Sequence, residues 1–196
     1  MKRIFDIICS GLGLVVLSPL FLFIAIWIKF DSSGPVFFKQ VRVGLNNRDF
    51  LLYKFRSMCL GSDKKGLITI GGHDPRVTKS GFFIRKYKFD ELPQLINVFK
   101  GEMSLVGPRP EVRKYVKLYT PEQMKVLSVK PGITDYASIE YADENSILGA
   151  SDDPDKVYVE TILPDKILLN MKYINNQSNA EYFKIIFLTF FRIVKK

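Results

Sequence analysis

The sequence predicts an α+β fold, with a re-entrant membrane helix hairpin over residues 1–30 and a small, mostly helical domain over residues 31–196. Three observations carry this prediction. Residues 7–28 form an uncharged run, two short aromatic-rich stretches follow between residues 36 and 55, and helical spacing of apolar residues recurs further along. These patterns predict a membrane segment, a short β-hairpin, and amphipathic helices that lie at the membrane interface.

The uncharged run from Ile7 to Ile28 is 22 residues long. This exceeds the roughly 18 apolar residues that indicate a membrane segment. A cleaved signal peptide is the alternative, but its apolar region is typically shorter, and no small-x-small cleavage site with a polar start follows this run. We therefore expect the segment to be retained.

Ser18 and Pro19 lie in the middle of this run. Pro19 cannot donate to the carbonyl of Val15 and its ring crowds the preceding turn, so a kink is expected. The Ser18 hydroxyl is expected to bond the carbonyl of Leu14 and widen the bend. A kinked helix that still spans the membrane is the alternative, because neighbouring groups can satisfy the freed carbonyl.

Basic residues flank the run on both sides: Lys2, Arg3, Lys29, Lys39, Arg42 and Arg48. A spanning helix would put the two groups on opposite faces of the membrane, although positive residues prefer the cytoplasmic side. A re-entrant hairpin keeps both groups on that side, and we favour it over the spanning helix.

The composition restricts the class of partner. The chain carries 29 Lys and Arg against 20 Asp and Glu, a net charge of +9 that suits nucleic acid, an anionic leaflet or phosphorylated substrates. Cys9 and Cys59 are predicted to be packing residues in a reducing compartment. The single histidine, His73, excludes a metal site built from several histidines.

The elements after the membrane segment follow from local patterns. Strands are predicted at Val36–Gln40 and Phe50–Phe55 with a turn at Gly44–Asn47, and a mobile polar loop at Ser62–Thr78. A helix is predicted at Leu92–Phe99.

Further helices are predicted in the second half of the chain. Pro121–Val129 begins with Thr120 as N-cap and Gln123 as its partner. Ala142–Pro154 is predicted to be an acidic loop, and Tyr158–Ile174 a helix that Pro164 interrupts. The basic amphipathic helix Glu181–Lys196 is expected to lie in a membrane interface, with docking on the core as the alternative.

Asp90 and Glu91 stand at the predicted start of the helix Leu92–Phe99. If Asp90 caps this helix, Pro93 falls in the first turn, where a missing N–H is tolerated. Helix N-termini attract phosphate, so a carboxylate there suits a group that reacts with phosphate or shares a metal ion with it. Taken alone, the pattern fits an ordinary helix start equally well.

Basic residues near these carboxylates strengthen the interpretation. Lys54 and Arg56 end the second predicted strand, Arg85 precedes the pair, and Arg109 lies between two prolines. A guanidinium with little freedom suits bidentate binding of a diphosphate. The sequence contains no Walker loop, GxGxxG or zinc spacing, which disfavours ordinary nucleotide-binding folds.

The run from Asp90 to Pro110, DELPQLINVFKGEMSLVGPRP, resembles the signature of the bacterial sugar transferases, the monotopic phosphoglycosyl transferases. Six further motifs occur in family order: Lys2-Arg-Ile-Phe-Asp6, Ser18-Pro19, Gln40-Val-Arg-Val-Gly44, Tyr53-Lys-Phe-Arg-Ser-Met58, Asp74-Pro-Arg-Val-Thr78 and Lys130-Pro-Gly-Ile-Thr134. Together they cover nearly the whole chain. The likeness is to the small members, which lack additional N-terminal membrane helices.

The resemblance implies a re-entrant helix at Ser18-Pro19 and a cytosolic, membrane-associated catalytic domain on the inner membrane of a bacterium. The family's Asp-Glu dyad maps onto Asp90 and Glu91. By this likeness, Asp90 attacks the β-phosphate of a UDP-sugar, releases UMP and holds the phosphosugar until polyprenyl phosphate takes it. Mg²⁺ at Asp90 and Glu91 would neutralise the diphosphate. An aspartate that is ionised at neutral pH needs no base for this attack.

The residues expected to bind substrate are Lys54, Arg56, Arg85, Pro108, Arg109 and Thr134. Expected partners are a UDP-sugar, undecaprenyl phosphate and the lipid bilayer, with no nucleic acid, and a homodimer is left open. The chain departs from many relatives at Lys88-Phe89, where they have small residues, and at Asp135–Glu140, where they read Gly-Trp-Ala-Gln. The sugar is therefore not inferred from a relative.

Two other functions are compatible with parts of the sequence. A membrane-tethered nucleic-acid binder would explain the net charge and the aromatic residues between basic ones, and salt-dependent retention of oligonucleotides would support it. A membrane scaffold without catalysis would tolerate the loss of Asp90.

Overall fold

A computed structural model describes residues 1–62 and 74–195 of the chain. In chain order its helices and strands are α1 (Lys2–Val16), α2 (Ser18–Asp31), β1 (Phe37–Val43), β2 (Asp49–Phe55), α3 (Lys79–Lys86), α4 (Gln94–Lys100), β3 (Ser104–Val106), α5 (Arg113–Val116), β4 (Gly132–Thr134), α6 (Tyr136–Glu140), α7 (Glu144–Gly149), α8 (Pro154–Val157), α9 (Leu163–Asn175) and α10 (Asn179–Val194). Most of the predicted polar loop, including His73, lies outside the described residues.

The apolar N-terminal segment forms two helices, α1 and α2, that meet at Leu17 with a bend of 59°. The Val15 carbonyl, which Pro19 cannot bond, accepts a hydrogen bond of 2.7 Å from the Ser18 hydroxyl. The expected bond from Ser18 to Leu14 is wrong, because the unsatisfied acceptor lies one residue closer. In the part of the chain that the structure describes, no single helix has the length and hydropathy to cross a bilayer, whereas the bent pair together does.

Hydrogen bonds hold the N-terminal end of α1 against later parts of the chain. Asp6 is 2% exposed and accepts hydrogen bonds from the hydroxyl of Ser104, the backbone N–H of Leu105 and the hydroxyl of Tyr182. Arg3 donates to the last carbonyls of α4. These contacts connect α1 to α4, β3 and α10.

Hydrogen bonds also hold the C-terminal end of α2 against the residues that follow the bent pair. Asp31 accepts hydrogen bonds of 2.8 Å from both the N–H and the hydroxyl of Ser80 on α3. Arg56, which follows β2, donates to the carbonyls of Ser32 and Ser33. The two ends of the bent pair therefore both contact the residues that follow it, while apolar side chains around the bend stay exposed: Leu12, Val15, Val16, Leu22 and Phe23.

The predicted hairpin is confirmed. β1 and β2 pair antiparallel, with Phe37 opposite Phe55 and Val43 opposite Asp49, around a 3-10 turn at Leu45–Asn47. A second, parallel pair is formed by β3 and β4. The backbone of Gly107, directly after β3, touches that of Gly132, the first residue of β4, since a Cβ on Gly132 would lie 2.1 Å from the nitrogen of Gly107.

The second half is mostly helical. The cap of Thr120 and Gln123 is confirmed, with reciprocal bonds of 2.9 and 3.3 Å, although the segment Gln123–Ser128 is a 3-10 helix. The loop prediction for 142–154 is wrong in part, because α7 forms there and buries Leu148 in the core. Pro164 does not interrupt its helix: it lies in the first turn of α9, directly after a π-helical turn at Tyr158–Ile162.

Candidate active site

Asp90 and Glu91 lie in a 3-10 turn, Phe89–Glu91, between α3 and α4. The prediction that Asp90 caps the following helix is wrong, because α4 begins only at Gln94. Pro93 has no N–H for the Phe89 carbonyl, which instead accepts a 3.2 Å bond from Leu92, one residue nearer. This tighter turn precedes the helix and separates the dyad from its N-terminus.

Glu91 is held between two cations. Arg109 donates from Nη1 to Oε2 at 3.2 Å and from Nη2 to Oε1, and Lys54 Nζ donates to Oε1 at 3.0 Å. Burial raises the pKa of Glu91, but the charges of Arg109 and Lys54 outweigh it and hold that pKa well below its usual range. The charge of Glu91 in turn raises the pKa of Arg109. The three groups form a stable ionised cluster.

Asp90 is in a different environment, although it is the next residue. Its side chain is buried, and the closest ion-pair distance is 3.9 Å, from Lys54 Nζ to Oδ2. Burial raises the pKa of Asp90, and the negative charge of Glu91 adds to this rise, against the lowering influence of Lys54. Asp90 is therefore the more basic carboxylate of the pair, and among the described residues its one ion-pair contact is with Lys54, which also bonds Glu91.

The carboxylate of Asp90 borders a cavity of about 320 Å³. Four basic residues line the cavity as well: Arg42, Lys54, Arg56 and Arg85. Among the described residues that line it, Asp90 is the one carboxylate. The face of the hairpin that carries Phe38, Gln40, Arg42 and Lys54 forms one wall, since side chains at alternate strand positions share a face. Such a concave, cationic surface suits an anionic ligand.

A sequence model described as bacterial sugar transferase matches residues 1–196. The chain belongs to this family. A UDP-N-acetylgalactosamine-undecaprenyl-phosphate N-acetylgalactosaminephosphotransferase of Aeromonas hydrophila is 47% identical over 142 residues, which cover 71% of this chain and 34% of the relative. A UDP-glucose:undecaprenyl-phosphate glucose-1-phosphate transferase of Escherichia coli K12 is 37% identical over 195 residues, or 98% and 40%.

A third relative is comparable in length. The exopolysaccharide production protein PSS of Rhizobium leguminosarum is 39% identical over 196 residues, which cover 96% of this chain and 92% of that protein. The chain thus spans between a third and two fifths of the Aeromonas and Escherichia relatives, and nearly all of the Rhizobium one.

Arg42 lines the cavity that Asp90 borders, although from the sequence it was named only as a flanking charge and within the motif Gln40–Gly44. It donates to the side-chain oxygen of Gln40 at 2.7 and 3.0 Å and to the carbonyl of Pro110 at 2.9 Å. These bonds join the hairpin wall to the loop that carries Arg109. The predicted strand ended at Gln40, whereas β1 continues to Val43 and brings Arg42 onto the same face as Gln40.

Asp135 was also not assigned to the site. It is fully buried, and its Oδ2 accepts a 3.1 Å bond from the backbone N–H of Arg109, while Oδ1 caps α6 through Ser138. Asp135 therefore fixes the backbone from which Arg109 reaches Glu91. The sequence marked this residue only as a departure from the usual family pattern.

Besides Lys54 and Arg109, which bond Glu91, three further residues predicted to bind substrate have other contacts. Both terminal nitrogens of Arg56 donate to carbonyls directly after α2, and the residue is 4% exposed, so its guanidinium holds the end of α2 although the residue lines the cavity. The Thr134 hydroxyl lies 2.7 Å from that of Thr189 on α10 and does not line the cavity. Pro108 lies beside Arg109, and its carbonyl accepts from Gly132 at 3.0 Å.

The donor set at the dyad bears on the expected Mg²⁺. The described residues contain no group of three or more His, Cys, Asp or Glu placed to hold a metal ion. Mg²⁺ is often held by only one or two carboxylates together with substrate phosphates, and Asp90 on the cavity wall suits that arrangement. Both oxygens of Glu91 already accept from Arg109 or Lys54, so Asp90 is the better-placed ligand of the two.

Proposed function

We propose that the chain transfers a sugar 1-phosphate from a UDP-sugar to undecaprenyl phosphate, which releases UMP and gives an undecaprenyl-diphosphate sugar. The observation that carries this proposal is the position of Asp90, a desolvated carboxylate on the wall of a cationic cavity. The names of the Aeromonas and Escherichia relatives give this class of donor and acceptor. We place the reaction at an early step of surface glycan synthesis.

In the first step, an oxygen of Asp90 attacks the β-phosphorus of the donor. A new bond forms between this oxygen and phosphorus, and the bond from phosphorus to the bridging oxygen breaks, so that UMP leaves with that electron pair. Lys54, Arg85 and Arg42 line the cavity and offset the charge of the diphosphate, which would otherwise repel the carboxylate. Burial raises the pKa of Asp90, which makes its carboxylate a stronger base than a solvated one.

In the second step, an oxygen of the acceptor phosphate attacks the phosphorus held on Asp90. The bond between this phosphorus and the aspartyl oxygen breaks and restores the carboxylate. Glu91 does not react: its charge keeps Arg109 and Lys54 in place for both steps. Mg²⁺, when bound at Asp90 and the substrate phosphates, supplies further neutralisation of the diphosphate.

We further propose that the enzyme is monotopic, on the cytoplasmic face of the bacterial inner membrane. Both ends of the bent pair α1–α2 contact the same body, and exposed apolar side chains surround the bend, as a re-entrant segment requires. α10 also presents an apolar, exposed surface with Phe187 and Phe190, and carries Arg192 in its last turn. Such a helix suits the interface between headgroups and acyl chains.

A panel of UDP-sugars tests the proposed reaction. Purified protein in detergent or nanodiscs would receive each UDP-sugar with Mg²⁺, with and without undecaprenyl phosphate, and UMP would be measured. We expect one or a few sugars to give UMP continuously only with acceptor, together with a lipid-linked sugar. Release of UDP, or no dependence on undecaprenyl phosphate for any donor, would refute the proposal.

A further inference from the structure

A stripe of aromatic side chains leads from the membrane segment to the dyad. It consists of Phe23 and Trp27 on α2, Phe83 on α3, and Tyr87 and Phe89 before Asp90. We propose that this aromatic stripe binds the polyprenyl chain of the acceptor and thereby brings the acceptor phosphate to Asp90. This inference rests on the proposed function and specifies where its lipid substrate lies.

The rings of the stripe follow one another without a gap. Their centroids are 6.0 Å apart for Phe23 and Trp27, 5.3 Å for Trp27 and Phe83, and 4.6 Å for Phe83 and Tyr87. Tyr87 then stacks on Phe89 at 5.8 Å. The stripe therefore begins near the bend and ends at the residue that precedes the proposed nucleophile.

The stripe differs from an ordinary aromatic core because much of it is uncovered. Phe23 is 61% exposed, Phe83 41% and Tyr87 51%, whereas Phe89 packs against the buried cluster of Ile24, Ile28, Phe55 and Ile84. One end is thus packed against the core, while Phe23, Phe83 and Tyr87 remain partly exposed. Large exposed apolar patches on a folded protein commonly mark a binding surface.

The polarity of the surroundings changes along the stripe in the way that a lipid phosphate requires. Near Phe23 the neighbouring exposed side chains are apolar, Leu22 and Ile26. At the opposite end stands Arg85, which has no ion pair with any residue that the structure describes and borders the same cavity as Asp90. An uncharged tail with an anionic head matches this gradient, whereas a nucleotide sugar is polar throughout. Ring faces also suit the methyl-branched alkenes of an isoprenoid.

Phe89 stands next to Asp90, and Tyr87 is stacked on it. Ring contacts therefore connect α2 to the residue that precedes Asp90.

The inference is tested by the acceptor KM of a Phe23→Ala/Trp27→Ala variant, which removes the two rings farthest from the dyad, at saturating donor. Undecaprenyl phosphate would be compared with geranyl phosphate, which has the same head and too short a tail to follow the stripe. We expect the KM for undecaprenyl phosphate to rise roughly tenfold, as for the loss of two aromatic contacts. The KM for geranyl phosphate and the KM for the UDP-sugar should stay unchanged.

Phe30→Ala is the matched control, because Phe30 is an exposed aromatic residue of α2 outside the stripe. The inference is wrong if Phe30→Ala raises the KM for undecaprenyl phosphate as much as the double variant does. It is also wrong if the double variant raises the KM of both acceptors equally, because the stripe would then be only a general contact with lipid. Photo-crosslinking with a diazirine-bearing polyprenyl phosphate reads binding without turnover. Crosslinks to residues 83–87 that undecaprenyl phosphate competes away would support lipid binding by the stripe, even if no UDP-sugar in the panel is a donor. If no crosslink forms at these residues, the inference is wrong.

Discussion

Arg109 donates from both of its terminal nitrogens to the two carboxylate oxygens of Glu91. Lys54 bonds one of the same oxygens but lies 3.9 Å from Asp90, so two adjacent carboxylates have unequal shares of positive charge. Their pKa values move in opposite directions, with Glu91 well below its usual value and Asp90 above it. The difference in ion pairing and in pKa supports different roles for the two carboxylates: Asp90 reacts, and Glu91 holds Arg109 and Lys54 in place.

The covalent route predicts a single turnover without acceptor. With a donor labelled in the sugar, Mg²⁺ and no undecaprenyl phosphate, wild-type enzyme should release about one UMP per active site and retain the label on protein. Asp90→Asn should abolish both signals. Glu91→Gln keeps the nucleophile, and should form some adduct while its steady-state rate falls by roughly 10²-fold, since Arg109 and Lys54 lose their charged partner.

The rival mechanism is direct attack by the acceptor in a ternary complex, with Asp90 as a metal ligand only. In that case neither the burst nor the adduct forms before acceptor is added, and Asp90→Asn would reduce the rate without removing a labelled species. The correct donor, identified from the UDP-sugar panel, is required for this comparison.

Replacement of Arg109 by lysine tests the bidentate contact. A lysine keeps the charge but cannot donate to both oxygens of Glu91, so we expect a loss of roughly 10- to 100-fold in kcat/KM for the donor. Arg113→Lys is the matched control, because Arg113 is a nearby arginine bonded to Asn47 and Asp49. Both variants should stay in the membrane fraction. Equal activity of the two would remove Arg109 from the site.

The pH dependence of the reaction should depend on Lys54. The reacting form of Asp90 is the carboxylate, so activity is lost as the pH falls through its raised pKa. Lys54 lowers the pKa of Asp90, and its removal in Lys54→Met should move the acid limb of kcat/KM for the donor to higher pH. Lys54→Arg should restore the limb toward its wild-type position. A limb that stays in place or moves to lower pH in Lys54→Met contradicts this account.

Features set by neighbouring residues could be predicted from the sequence. Alternating and aromatic residues predicted the hairpin, and Pro19 in an apolar run predicted the bend. The prolines on either side of Arg109 predicted a restricted guanidinium that binds a diphosphate, whereas in the structure both of its terminal nitrogens donate to Glu91. Each of these inferences rests on interactions within a few residues or on the chemistry of a single side chain.

Features that depend on distant partners could not be predicted. Arg56 was predicted to bind substrate. A basic residue after a strand looks the same in the sequence whether it contacts a phosphate or, as here, backbone carbonyls 23 and 24 residues away, just after a helix. Asp135 and Arg109 are 26 residues apart, and nothing local indicates their bond. The sequence also did not show that Asp90 lies in a 3-10 turn before α4 rather than at the start of the helix. Helix-start patterns do not distinguish 3-10 from α-helical hydrogen bonding.

The last prediction concerns the topology of α1 and α2. In a background that lacks Cys9 and Cys59, single cysteines at Lys2 and Ser33 should resist a membrane-impermeant maleimide in intact spheroplasts, and both should react after lysis. Label on Lys2→Cys alone before lysis would mean that the segment spans the membrane. A periplasmic cysteine protein in the same sample confirms that the reagent is active.

The bend and the contacts of Asp6 should both oppose a spanning form. Pro19→Ala restores an N–H for the Val15 carbonyl and favours a straight helix, but the three groups that donate to Asp6 still hold the start of α1 to β3 and α10. Pro19→Ala alone should therefore expose little of Lys2→Cys, and Pro19→Ala combined with Asp6→Ala clearly more. Asp6→Ala alone serves as the control, since it loosens α1 and keeps the bend. If Pro19→Ala alone gives full labelling, the contacts of Asp6 do not hold the hairpin; if the combined variant stays unlabelled, the bend has another cause than Pro19.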